Sequence, residues 1–168
     1  GGSFRFYRAP LDRSAPPAVL LEGEGGIHSL TYGANMLGLN LESARDGLDA
    51  YVLAVAEDGT PAGKPILVEG GPYDQTCPTV SPDGTLVAYQ SSESGRDEVY
   101  VVRLAEPGNR RRLTKDGGGV PLWNRDGSRL FYWSNGRVVS QALRSASEMR
   151  FDAPQVVSGS DTPGEIVG

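Results

Sequence analysis

The chain has 168 residues, including 23 glycines and 12 prolines, and 38% of its residues are hydrophobic. Glycine and proline recur too often to leave the long stretches that a helical bundle needs, and no apolar run is long enough for a transmembrane helix or a signal-peptide core. The formal net charge of −5 lacks the basic surplus that is typical of nucleic-acid-binding proteins. Short apolar runs between these glycines and prolines instead predict many short β-strands joined by tight turns.

Residues for catalysis and metal binding are scarce. The chain has one histidine, His28, and one cysteine, Cys77, which excludes an internal disulfide and a multi-cysteine metal site. A serine or cysteine nucleophile paired with a histidine base is disfavoured, and neither a nucleophile elbow nor a phosphate-binding loop is present. We therefore expect no catalytic residue, no metal and no cofactor, with His28 a plain polar position and Cys77 a small core residue.

The first elements of the chain are degenerate copies of a pattern that is clearer further on. Residues 6–11 and 18–21 are similar to residues 99–104 and 111–114, and they predict the last two strands of a repeat. Residues 31–41 match residues 81–91 at an offset of 50, with Tyr-Gly-Ala at 32–34 in the place of a turn signal.

The clearest repeat lies between residues 77 and 114. It predicts strands near 77–81, 86–91, 99–104 and 110–114, the last of which is charged, as an exposed sheet edge needs to be. The first two strands are joined by a Ser-Pro-Asp-Gly turn, in which Pro82 presets φ, Asp83 caps the turn and Gly84 takes a positive φ.

The last copy occupies residues 121–140. Asp126 and Gly127 correspond to Asp83 and Gly84 at an offset of 43, and every position from there to Tyr132 aligns without a gap. We expect Asp126 and Gly127, like Pro82, Asp83 and Gly84, to have a structural role in the turn. Four antiparallel strands in each unit of 43 to 50 residues are typical of a β-propeller blade.

The repeats resemble those of TolB-like β-propellers, in which Ser-Pro-Asp-Gly is followed by an apolar strand that ends in tyrosine. Residues 92–101 and 118–123 are similar to segments of propellers attached to bacterial serine/threonine kinases, winged-helix regulators and amidohydrolase-like enzymes. The resemblance is strong from about residue 70 to 143. It implies an all-β, WD40-like repeat fold and does not by itself imply an activity.

The predicted organisation is a single propeller segment over residues 1–168. It comprises a half blade at about 4–24 and three blades at about 25–70, 71–116 and 117–160, with 161–168 forming a further strand or a tail. Closed propellers have roughly four to eight blades, so we expect missing blades or a second copy to complete the ring.

One end of the blades is expected to form a binding face. The loops between the second and third strands share this face with the loops between blades, and they contain a mixed charged and aromatic set suited to protein recognition. The set comprises Tyr73, Asp74, Glu93, Arg96 and Asp97. Trp123 and Trp133 are expected in the core between blades.

Three functions fit this sequence. The first is a non-catalytic scaffold or sensor module for a protein or peptide partner, within a larger bacterial protein. The second is an accessory or gating propeller of a prolyl-oligopeptidase-like or amidohydrolase-like hydrolase whose catalytic domain lies outside the chain. The third is a propeller that binds a carbohydrate or another small molecule. We expect no nucleic-acid partner and no membrane insertion, and the sequence does not fix the compartment.

Overall fold

The protein is all-β in the computed structural model, which describes residues 3–42 and 47–159. The strands form four antiparallel sheets. The half blade pairs β1 (Ser3–Arg8) with β2 (Ala18–Glu24). The first blade contains β3 (Ile27–Gly33), β4 (Met36–Glu42), β5 (Leu48–Ala54) and β6 (Ile66–Glu69). The second contains β7 (Gln75–Val80), β8 (Leu86–Ser91), β9 (Glu98–Arg103) and β10 (Arg110–Arg112).

The third blade contains β11 (Gly119–Trp123), β12 (Arg129–Ser134), β13 (Arg137–Ser145), β14 (Arg150–Phe151) and β15 (Gln155–Gly159). Its long strand β13 pairs with β15 along the first half and with β14 along the second, so two short strands share the outermost position. The predicted further strand or tail at 161–168 lies outside the described residues.

Three apolar clusters hold neighbouring sheets together, one at each junction. Strands β8 and β9 are buried almost throughout because the second blade is covered on both faces. This explains why their sequences are nearly continuous apolar runs, whereas a sheet covered on one face alternates apolar with polar residues. The half blade has that alternating pattern, and only one of its faces packs on the first blade.

The second and third blades have equivalent hairpin turns. Gly84 and Gly127 have φ angles of 75° and 73°, so both have the positive φ that the sequence predicted. The Asp83 carboxylate accepts a hydrogen bond from the Thr85 amide (3.1 Å), and the Asp126 carboxylate accepts one from the Ser128 amide (2.8 Å). Each carboxylate thus satisfies a donor of its own turn.

The turn of the first blade differs from the prediction. It lies at Ala34 and Asn35, whose φ angles are 53° and 55°, rather than at residues 32–34. Two consecutive residues at positive φ are typical of a two-residue type I′ hairpin, which suits the twist of the flanking strands. The hairpin is shorter than Ser-Pro-Asp-Gly, so a gapless alignment at an offset of 50 places the turn incorrectly.

A side-chain amide anchors the innermost strand of the second and third blades. Cys77 and Val120 both have positive φ and lie at bulges of β7 and β11. The Cys77 amide donates to Asn40 Oδ1 of the first blade (3.0 Å), and the Val120 amide donates to Gln90 Oε1 of the second (3.1 Å). The amides of Asn40 and Gln90 therefore satisfy backbone donors that the bulges remove from the strand ladder.

Candidate binding site

The loops predicted to share a face contact one another in a row. The Ser92 amide donates to the Asp74 carbonyl (3.1 Å), and the Gly118 amide donates to the Asp97 carbonyl (2.9 Å). The Ser134 hydroxyl then donates to the Gly117 carbonyl (2.6 Å). The loops at 70–75, 92–97 and 115–120 are thus joined along one side of the blades.

Two of the five predicted binding residues are committed to contacts within the chain. Asp74 Oδ1 accepts a hydrogen bond from the Leu48 amide of the first blade (3.0 Å). Glu93 forms an ion pair with Arg110 (2.7 Å), which also pairs with Glu69 (2.9 Å). Asp74 thus contacts the first blade directly, and Glu93 pairs with the arginine of its own blade that also reaches Glu69 of the first blade. Using either carboxylate for a ligand would break a contact within the chain.

The other three predicted residues, Tyr73, Arg96 and Asp97, have exposed side chains. Arg96 Nε lies 3.9 Å from Glu98 Oε1, at the outer limit of an ion pair. Glu98 itself is buried and accepts hydrogen bonds from the Thr114 hydroxyl and the Gly117 amide (3.2 Å). Because other donors already serve this carboxylate, most of the Arg96 donors remain available.

Arg96 and Asp97 lie on a groove of about 480 Å3 between the second and third blades. The groove brings them together with Trp133 and Asn135, while Tyr73, Asp74 and Glu93 are not part of its lining. Gln90 and residues 117–120 also line it. The site therefore combines a guanidinium, a carboxylate, a side-chain amide and an indole.

The prediction for Trp133 was wrong, whereas that for Trp123 is confirmed. Trp123 is only 7% exposed, lies in the cluster between the second and third blades and donates from its indole nitrogen to the Thr79 carbonyl (3.3 Å). Trp133 is 53% exposed. Its neighbour Tyr132 points into the junction, so alternation turns Trp133 to the opposite face of β12. This alternation was the signal in the sequence that could have placed Trp133 in the site.

The two residues most suited to catalysis are not in this groove. His28 is exposed, with Nε2 3.4 Å from Glu42 Oε1. Cys77 is half-buried rather than fully in the core, and burial raises the pKa of its thiol, which lowers its reactivity.

Metal ligands and membrane-spanning elements were also sought within residues 3–42 and 47–159. No group of three or more histidine, cysteine, aspartate or glutamate side chains there is placed to hold a metal ion. In the same part of the chain, no helix is long and apolar enough to cross a membrane.

No family model matches the sequence, and no curated protein matches it either. Solved structures do match. A putative TolB from Agrobacterium tumefaciens is 13% identical, with a TM-score of 0.62, and the match covers 93% of this chain and 61% of that one. Dipeptidyl peptidase 4 from Porphyromonas gingivalis is 17% identical, with a TM-score of 0.64, and the match covers 94% of this chain and 23% of that one.

A puromycin-hydrolysing peptidase from Mycobacterium tuberculosis is 20% identical, with a TM-score of 0.59. That match covers 84% of this chain and 24% of the peptidase, so the chain spans only part of the length of each of these structures. Identities this low show the fold alone. Together with the four antiparallel sheets and their stacking, they establish that the chain has a TolB-like β-propeller fold.

Proposed function

We propose that this chain is a non-catalytic β-propeller module that binds a protein or peptide segment at the groove containing Arg96, Asp97 and Trp133, within a larger bacterial protein. The observation that supports the proposal is the combination of an exposed indole with two opposite charges in one groove. Tryptophan and arginine contribute disproportionately to the free energy of protein interfaces.

The groove offers a peptide both kinds of polar partner. The Arg96 guanidinium can donate to a carbonyl or carboxylate oxygen, and the Asp97 carboxylate can accept from an amide or ammonium group. Trp133 supplies an apolar surface that loses little conformational entropy on binding. These are general requirements for recognising an extended segment, and they involve no nucleophile.

The test begins with selection of short peptides from a random library on the intact chain. Isothermal titration calorimetry then compares wild type with Arg96→Ala, Asp97→Ala and Trp133→Ala. We expect each substitution to weaken the best peptide by about tenfold or more, as hot-spot truncations do. Arg125→Ala is the control, because Arg125 is an exposed arginine in the turn at the opposite side of the blade. Equal affinities for wild type and all three groove variants would reject the proposal.

An accessory or gating role beside a hydrolase domain outside this chain is the second candidate. It is favoured by the match to peptidases of which the chain covers about a quarter. The complete gene sequence separates the candidates: a hydrolase motif in a flanking domain favours the accessory role, and a kinase or DNA-binding domain favours signalling.

Carbohydrate binding is the third candidate, because the exposed Trp133 indole could stack on a sugar ring. A panel of neutral and acidic oligosaccharides, monitored by tryptophan fluorescence, tests it. Of the two tryptophans only Trp133 is exposed, so quenching that Trp133→Phe abolishes would report binding at this site.

A further inference from the structure

The outermost strand of the first blade, β6, has an edge that is suited to pairing with another strand. Within the described part of the chain β6 pairs only with β5, so its other edge lies at the periphery of the blade however many blades complete the ring. Ile66 and Leu67 are 49% and 46% exposed and carry no charge. The corresponding strand β10 consists of three exposed arginines, and such charges discourage a sheet edge from pairing. The edge of β6 lacks this protection.

A cleft of about 520 Å3 lies beside this edge. Leu67, Val68 and Glu69 line it in succession. Because neighbouring residues of a strand point to opposite faces of the sheet, this places the cleft alongside the strand rather than on one face. Pro107 and Gly108 of the second blade also line it. All the lining residues lie between positions 42 and 108, so the cleft does not depend on what lies beyond either end of the stack.

The cleft is acidic. Its carboxylates and its phenol belong to Glu42, Asp49, Glu69 and Tyr51. Glu69 shares Arg110 with Glu93, so this arginine does not neutralise both carboxylates. No lysine or arginine is among the lining residues in the part of the chain that the structure describes. The charge of the cleft therefore suits a cationic side chain.

A buried carboxylate lies near the start of the third strand in both the first and the second blade. Asp49 in the first blade and Glu98 in the second occupy equivalent positions of the strand register. The Thr114 hydroxyl and the Gly117 amide both donate to Glu98. The acid of the second blade is thus satisfied by groups of the chain itself.

Asp49 has fewer partners than its counterpart. It is 9% exposed, accepts a hydrogen bond from the Gly71 amide (3.2 Å) and forms no ion pair among the described residues. Burial and then the negative charge of Asp49 raise the pKa of Tyr51, so this charge acts within the cleft. A buried carboxylate is stabilised by a cation or by several hydrogen-bond donors. A cationic ligand in the cleft would supply what Thr114 and Gly117 supply to the equivalent acid.

We propose that the edge of β6 and this cleft bind an extended segment of a partner protein in which apolar and basic residues alternate. The backbone of the segment pairs with β6 and adds a fifth strand to the blade, as in β-augmentation. A basic side chain enters the cleft toward Asp49, and an apolar side chain packs on Leu67. The unpaired edge requires the extended conformation, and the carboxylates require the basic charge. This inference goes beyond the proposed function, because it uses none of the residues of the groove between the second and third blades.

Isothermal titration calorimetry with the capped peptide acetyl-Val-Lys-Val-Lys-Val-Lys-Val-amide tests the proposal. We expect wild type to bind this peptide and not the same peptide with glutamate in place of lysine. Two further peptides are N-methylated at every valine or at every lysine. Alternate backbone amides of an added strand point toward its partner, so one methylation pattern should abolish binding and the other should not.

Two substitutions locate the site on the protein. Leu67→Lys places a tethered ammonium in the cleft, and Asp49→Asn removes the charge while keeping an oxygen for the Gly71 amide. Each should weaken the lysine peptide by about tenfold or more, as loss of a hydrogen bond to a charged group does. Val157→Lys is the matched control for Leu67→Lys, because Val157 is an exposed apolar residue on the outermost strand β15. Circular dichroism melts check that the variants fold.

The outcomes are separable. Binding of the lysine peptide that Leu67→Lys and Asp49→Asn weaken and Val157→Lys leaves intact supports the proposal. Absence of binding, equal binding of the glutamate peptide, an equal loss in Val157→Lys, or unchanged affinity of both methylated peptides would overturn it. Arg96→Ala with Asp97→Ala should leave this binding unchanged while weakening the library-selected peptide, which distinguishes failure of this inference from failure of the proposed function.

Discussion

The two faces of the third blade have similar apolar side chains in different surroundings. One face places Trp123, Leu130 and Tyr132 against the second blade, and all three are buried. The other presents Leu122, Phe131 and Trp133, one residue out of phase on the same strands. Strand geometry gives both faces equal access to a neighbour, so burial depends on whether a neighbour is present. An apolar residue in a strand therefore shows that its face of the sheet is suited to packing. It does not show whether another sheet packs there.

The largest difference between the faces should appear on truncation of a leucine. Leu86→Ala removes a fully buried side chain from the junction and should lower the free energy of unfolding by about 2–5 kcal/mol. Leu122→Ala, on the face turned away from the second blade, should change it by no more than about 0.5 kcal/mol at concentrations where the chain is monomeric. Urea unfolding measures both. A large effect of Leu122→Ala under those conditions would mean that this face is covered within the monomer.

The next effect concerns the polar contacts of the junction. Glu98→Ala leaves the Thr114 hydroxyl and the Gly117 amide without their acceptor, and we expect a loss of about 1–3 kcal/mol. Asp97→Ala, at the adjacent exposed position, should stay within about 0.5 kcal/mol. Thermal melts that ranked the two variants in the reverse order would show that the buried carboxylate does not hold the loop between the blades.

Replacing glycine with alanine compares a turn that contacts the neighbouring blade with a turn that has open space around it. Gly127 and Gly136 have φ angles of 73° and 74°, so alanine at either should cost about 1 kcal/mol through the backbone. A Cβ at Gly127 would also lie 3.2 Å from Pro82 Cδ of the second blade, whereas one at Gly136 meets nothing within 4 Å. Gly127→Ala should therefore be the more destabilising. Equal unfolding midpoints would contradict the contact between the turns.

The smallest expected effect is on the pH dependence of stability. Hydrogen bonds from the Ser128 side chain and backbone hold the pKa of Asp126 below its usual value. A lowered folded-state pKa stabilises the fold above the unfolded pKa of about 3.9, and that contribution is lost as pH falls through the folded pKa. Wild type should thus lose more stability than Asp126→Asn between about pH 5 and pH 3. If chemical unfolding showed the same decrease in the free energy of unfolding for wild type and Asp126→Asn over this pH range, the hydrogen bonds between Ser128 and Asp126 would not be the cause.

Much of the fold could be predicted because its signals are local. The strand over 86–91 and the positive φ of Gly84 and Gly127 follow from apolar runs and turn chemistry, which act within a few residues. The turn of the first blade was misplaced because Ala34 and Asn35 carry no strong turn signal and the hairpin is shorter.

The candidate site was predicted only in part, since its composition depends on contacts between blades. Arg96 and Asp97 were recognised as exposed loop residues. Asp74 and Glu93 looked equivalent to them, yet Leu48 and Arg110, which are distant in sequence, occupy their carboxylates. Charge and loop position cannot distinguish a free carboxylate from one that is already paired with another part of the chain.

The sequence by itself determined the repeat, the antiparallel hairpins and the alternation that puts Trp123 and Trp133 on opposite faces of one sheet. Only the tertiary structure decided which of those faces packs on another blade among the described residues, and hence that Trp123 is buried while Trp133 lines a groove with Arg96 and Asp97. The physical reason is that turn geometry and strand pairing are fixed by residues close in the chain. Burial is fixed by packing between sheets, in which residues as far apart as Thr79 and Trp123 meet.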